Sequence, residues 1–102
     1  MAILHLVNKS PFTHDALRSC LAVCSPTDSV LLLEDGVFGT MASAPTCEQS
    51  NRLANLGTKF FALSQDVEAR ALATKISSLF HLIDYDGFVA LTVDNHCVQS
   101  WY

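Results

Sequence analysis

With ten acidic and six basic side chains among 102 residues, the chain carries a formal charge of −4 and has no Lys/Arg cluster, which argues against direct binding to a nucleic-acid backbone. Half of its residues are hydrophobic and only 16% are charged. That is apolar for a single domain spanning 1–102, and the surplus is expected to end in a subunit interface.

Residues 2–7 form a compact apolar run, read as the first strand. Ser10 or Thr13 is the expected cap of the first helix, with Pro11 in the opening turn in the former case. Ala16, Leu17, Cys20, Leu21 and Cys24 recur at three- and four-residue spacing and so share one helical face. Ser25-Pro26 stops that helix. Val30-Leu31-Leu32-Leu33 is apolar without alternation, as in a strand covered on both faces, and it ends at the turn signal Glu34-Asp35-Gly36. Helical pieces are expected near 37–43 and 47–55, with a loop at Ala44-Pro45 and punctuation at Gly57. Strand three is read over 59–63, a helix over 66–73, strand four over 79–83, an Asp84-capped helix over 85–94, and a last strand over 97–101. Strands alternating with helices predict an α/β domain of the flavodoxin-like kind, a mostly parallel sheet flanked by helices.

No apolar run approaches the length of a membrane span, and Met1 leads into a strand without a cationic leader. The expected compartment is therefore the cytoplasm, with no membrane contact. The four cysteines read there as reduced thiols.

Leu4-His5 with Ser10-Pro11, Asp35-Gly36, Asp66 with Ala69-Arg70, Asp84-Tyr85, Phe88-Val89, Leu91-Thr92 and the closing Gln99 and Trp101 follow one another in a recognisable order. Over almost the whole chain this order resembles the DsrH/TusB family, the smallest of three related subunits in sulfur-relay heterohexamers. The resemblance implies a flavodoxin-like fold and a dimer of trimers with DsrE/TusD-like and DsrF/TusC-like partners. It also implies persulfide transfer between cysteines, without a cofactor, toward a carrier of the DsrC/TusE kind. One branch serves dissimilatory sulfur oxidation, and the other supplies sulfur for 2-thiolation of wobble uridine in tRNA. Cys20 falls where the sulfur-oxidising branch has a cysteine in its first helix, so the expectation leans to that branch. Ala71 departs from the pattern, since relatives usually carry Gly after the Ala-Arg pair.

A relay needs an accessible thiolate that attacks sulfane sulfur. Cys20 is the candidate persulfide acceptor, although its apolar helical stripe suits a buried structural thiol as well. Cys24 lies one turn on. On an intact helix, i and i+4 Cβ atoms are about 5–6 Å apart, too far for the roughly 4 Å of a disulfide, and Cys24 reads as structural. Cys47 has no assigned role, and Cys97 reads as sheet or interface packing. His5 is expected to be a hydrogen-bonded core histidine and His14 a solvated one. Nothing in the spacing of Cys20, Cys24, His96 and Cys97 compels a metal site, and no phosphate-binding glycine motif accompanies Asp35-Gly36. Trp101 and Tyr102 suit packing on the sheet edge or a subunit contact. Apart from the two relay branches, a purely structural interaction subunit and a free-standing redox sensor remain as readings.

Overall fold

The computed structural model describes residues 2–102. Five strands, β1 (Ile3–Val7), β2 (Ser29–Leu32), β3 (Lys59–Leu63), β4 (His81–Ile83) and β5 (Cys97–Trp101), form one sheet in the order β4-β3-β2-β1-β5. All four pairings are parallel. The helices are α1 (Ala16–Val23), α2 (Cys47–Leu56), α3 (Ser64–Ala69) and α4 (Tyr85–Asp94), with a 3-10 helix over Glu34–Thr40. The layered α/β arrangement is as expected. Within it the strand order differs from the flavodoxin order 2-1-3-4-5: from β1 to β4 the chain steps in one direction, and then it crosses back to place β5 beside β1.

That reversal decides the two faces. Crossovers between parallel strands are right-handed, so connections running one way put their helices on one face and the returning connection puts α4 on the other. The main core gathers Val7, Leu17, Cys20, Val30, Leu32, Phe60 and Ala62, with the 3-10 helix and α3 adding Val37 and Val67. Phe60 and Phe80 meet there edge to face, their ring centroids 5.5 Å apart. No residue of α4 is buried. Every residue of β2 is buried, as its unbroken apolar run requires.

Several boundaries depart from the sequence expectation for local reasons. Ser10 does not cap α1. Its hydroxyl accepts the Phe12 N–H and its carbonyl accepts those of Thr13 and His14, so Ser10-Pro11 forms a separate turn. α1 ends at Val23, and Cys24 is already extended at φ −65°, ψ 141°. Ser25 precedes Pro26 and is disfavoured in the helical region, so the helix is released early. Strand four begins at His81 because Ser77 holds a turn with Leu79 and Phe80. Asp84 caps α4 as expected, its Oδ1 accepting the Gly87 N–H at 2.9 Å. At the end of α2, Gly57 takes φ 121°, a conformation L residues with a Cβ avoid.

α3 closes at Ala69, four residues before its predicted end. Ala71 takes φ 54°, its N–H donates to the Glu68 carbonyl, and the Leu72 N–H donates to that of Val67. This is the Schellman arrangement, with Val67 and Leu72 both buried. Its left-handed position is normally glycine, so Ala71 holds it at a conformational cost.

Candidate functional site

A buried polar cluster forms where β1, the end of α1 and the turn before β2 meet. His5 shares its strand parity with Val7, so it faces α1 and its Cys20. Asp28 closes the turn that Ser25-Pro26 opens, its own N–H donating to the Ser25 carbonyl. The carboxylate then accepts three hydrogen bonds of 3.0 Å, from the Ile3 and Ser25 N–H groups and from His5 Nε2. On the other side of the ring, Trp101 Nε1 donates to His5 Nδ1 at 3.1 Å. An indole nitrogen can only donate, so Nδ1 is the acceptor and the ring proton sits on Nε2, toward Asp28. Trp101, bracketed in the sequence as packing or contact, therefore fixes a histidine tautomer.

The two α1 thiols complete the cluster. Cys20 and Cys24 Sγ atoms are 3.8 Å apart. Both thiols are free, with no disulfide between them; the helix expected to run through residue 24 ends at Val23, and the extended backbone there directs Cys24 toward Cys20. Their environments differ. Cys20 has no exposed surface, whereas Cys24 is half-buried. Either sulfur could donate across this contact, but the fully buried Cys20 is the one that keeps its proton; donation to Cys24, together with burial, pushes the Cys20 thiol up. The same donation holds Cys24 down at about 6, with help from His5 and against both burial and the Asp28 charge. For Asp28, burial opposes ionisation, but the hydrogen bonds from His5, Ser25 and Ile3 outweigh it and keep the carboxyl below its usual range. At His5, burial disfavours a charged ring; Cys24 and Asp28 more than offset this and raise its proton affinity.

Donor atoms of His5, Cys20 and Cys24 lie within 4.8 Å of one another and are the ligand types that zinc or copper takes. Both ring nitrogens of His5 are already committed, to Asp28 and Trp101, so a metal would have to break one of those bonds. A cleft of about 720 Å³ near the start of β3 and β4, lined by Phe60, Phe61, Leu79 and His81 among others, contains none of these thiols.

The other motif residues serve geometry. A Cβ on Gly36 would lie 2.1 Å from the Val7 carbonyl oxygen, so only glycine lets the 3-10 helix approach β1. Arg70 Nε and Nη2 donate to Asp35 Oδ1 at 3.1 and 2.9 Å, and Arg70 Nη1 donates to the Asp66 carbonyl. Asp66 Oδ2 accepts the N–H of Glu34, which sits at φ 50°. Asp35, Asp66 and Arg70 thus brace the carboxyl ends of β2 and β3. His14, bonded to the Thr13 hydroxyl, and exposed Cys97 lie outside the thiol cluster. His96 donates its backbone N–H to the Ala2 carbonyl, and Cys47 Sγ accepts from the Asn51 amide.

A family model described as "DsrH like protein" matches residues 9–98. The chain belongs to the DsrH family. Similar curated proteins include Protein TusB of Escherichia coli K12, 36% identical over 99 residues, which are 97% of this chain and 100% of that one. Protein TusB of E. coli O81 is 35% identical over the same span. Among solved structures, the ychN protein of E. coli superposes with a TM-score of 0.81 at 12% identity, covering 98% of each chain. Protein Tm0979 of Thermotoga maritima does so at 0.64 and 24% identity, covering 91% of this chain and 92% of that one. At those identities the structures establish the shared fold alone. For this DsrH-family chain, the full-length relatives carry the TusB name, although Cys20 had tilted the expectation toward sulfur oxidation.

Proposed function

We propose that this chain is the TusB-type subunit of a persulfide relay that supplies sulfur for 2-thiolation of wobble uridine in tRNA. The observation that carries this reading is the 36% identity to Protein TusB across its entire length. The thiol pair beside His5 offers a place where sulfane sulfur can be held, which supports a relay role without choosing between its two branches. The relay acts in the cytoplasm, in keeping with free thiols, and no described helix is long and apolar enough to cross a membrane. Its partners are TusC-like and TusD-like subunits and a TusE-like carrier, with no direct contact to tRNA.

The surface available for those subunits is α4. Tyr85, Val89 and Val93 recur every four residues and are all exposed, so they make one apolar stripe. Such a stripe is usually covered. Acidic Asp84, Asp86 and Asp94 edge it, and the helix has no basic residue, which suits a partner face with a basic rim.

Reconstitution from purified parts tests the reading. This chain with its TusC-like and TusD-like partners should form a stable complex that moves sulfur from a persulfide donor to a TusE-like carrier, and omitting the chain should stop transfer. A monodisperse monomer that ignores both partners would overturn the proposal.

A further inference from the structure

We infer that Cys24 Sγ is the atom of this chain that accepts sulfane sulfur, with Cys20 as a positioning residue that donates its S–H to it. This rests on the relay reading above and assigns the chemistry to a residue that the sequence presents as structural.

The geometry separates the two thiols by access. Cys20 belongs to the main core, packed on the helical face it shares with Leu17 and Leu21, and it has no exposed surface. A donor persulfide must bring its outer sulfur into line with the attacking sulfur, and no approach to Cys20 exists without opening the core. Cys24 lies just past the end of α1, off the helix and half-buried. With α1 released at Val23, Cys24 keeps part of its residue surface in solvent while its Sγ lies 3.8 Å from the Cys20 thiol.

The surroundings favour a thiolate at Cys24. The titratable groups facing it are Cys20 from α1, His5 from β1 and Asp28 from the turn before β2. Cys20 and His5 hold its pKa down at about 6, while Asp28 opposes them. Such a thiol carries more thiolate at neutral pH than a free cysteine does. His5 is locked between Asp28 and Trp101, so the ring is held in place beside the sulfur. A low-pKa thiol is both a good acceptor and a good leaving group in exchange, as a relay station requires.

The step balances without an external oxidant. Cys24 thiolate attacks the outer sulfur of a donor persulfide, R–S–S–H. A new S–S bond forms to Cys24, the donor S–S bond breaks, and its electron pair leaves on R–S⁻, which takes a proton from water. Oxidation of Cys24 Sγ to the persulfide level is matched by reduction of the donor's departing sulfur to thiolate, so the electrons balance within the exchange, and Cys20 keeps its proton throughout. The reverse exchange with a carrier thiolate regenerates Cys24 thiolate.

The test uses the full chain with Cys47→Ser and Cys97→Ser, which lie outside the cluster. Glutathione persulfide is the donor, and fragment-ion mass spectrometry locates the added sulfur. In parallel, iodoacetamide labelling of each thiol is followed from about pH 5 to 9. The added sulfur is expected on Cys24, with labelling of Cys24 rising through a midpoint near 6. Cys24→Ser should lower loading at least tenfold. Cys20→Ala should leave the sulfur on Cys24 but move the labelling midpoint upward, a change that a merely structural role would not produce. Sulfur mapped to Cys20, or loading that survives Cys24→Ser, overturns the assignment while leaving the relay reading intact. Cys24 labelled near pH 6 with no sulfur taken up on either thiol overturns the assignment, and the relay reading is then decided by the reconstitution alone. The map on the protein with Cys20 and Cys24 intact decides the question even where a Cys20 variant fails to fold.

Discussion

Ala71 and Asp28 show how single residues in this chain carry opposite kinds of cost. Ala71 holds a left-handed conformation at the end of α3, and for an L residue that costs roughly 1–2 kcal/mol. Ala71→Gly should therefore stabilise the protein by about 1 kcal/mol, raising Tm by about 4–8 °C in a thermal melt. Asp28 is the reverse case. Removing its carboxylate in Asp28→Ala would leave the Ile3 N–H, the Ser25 N–H and the His5 ring without their acceptor, at about 1–3 kcal/mol for each buried group. A urea titration should show a loss of about 3 kcal/mol or more. The pH dependence has a definite sign. The folded pKa of Asp28 lies below its unfolded value, so its contribution is complete above about pH 4 and disappears as pH falls through the folded value. Asp28→Asn should lack this acid-dependent component in urea midpoints compared between neutral and acid pH. Part of the site was readable from residue patterns: helical spacing put Cys20 on the apolar face, and strand parity turns His5 toward it. Cys24 was not, because its direction depends on α1 stopping one residue earlier than the periodicity shows. Nor was Asp28, which in sequence is an ordinary turn carboxylate.

At the scale of elements, the strands were the most legible. Val30 to Leu33 and Lys59 to Leu63 are apolar runs bounded by turn residues, and Asp84 marks the start of α4 by its capping chemistry. The segment after β2 was harder. It is a 3-10 helix over Glu34–Thr40 rather than a helix from residue 37, and it begins with a strained Glu34 held by Asp66, 32 residues away. Local sequence does not report that contact. The Asp35–Arg70 pair is solvent-facing on the aspartate side, so its value lies more in fixing this segment than in net stability. Close packing of the segment on β1 depends on Gly36. A Cβ there meets backbone, which cannot rotate away as a side chain can. Gly36→Ala should cost about 3 kcal/mol by overpacking, seen as a lower urea midpoint, with accelerated amide exchange in β1 and the 3-10 helix.

For the whole molecule, composition alone announced an excess of apolar surface, and the sheet explains where it goes. Strand order was not legible, because it is set by pairings between distant segments such as β1 with β5. The return of the chain to β5 leaves α4 with no buried residue on its face of the sheet. Val89→Gln with Val93→Lys alters exposed positions and should change the stability of the isolated chain by no more than about 0.5 kcal/mol each. The same pair should weaken assembly with the TusC-like and TusD-like subunits, measured as dissociation of the complex on dilution. The exposed α4 stripe and the Cys20–Cys24 pair lie on opposite faces of the sheet, so the proposed assembly surface and the proposed sulfur site can be tested separately. The most direct test of the relay reading is the 2-thiouridine content of tRNA in E. coli cells lacking their own TusB. Expression of this chain should restore wobble 2-thiouridine, and expression of its Cys24→Ser variant should restore less. Cells in which the chain joins the resident partners yet the tRNA stays unthiolated would contradict the account.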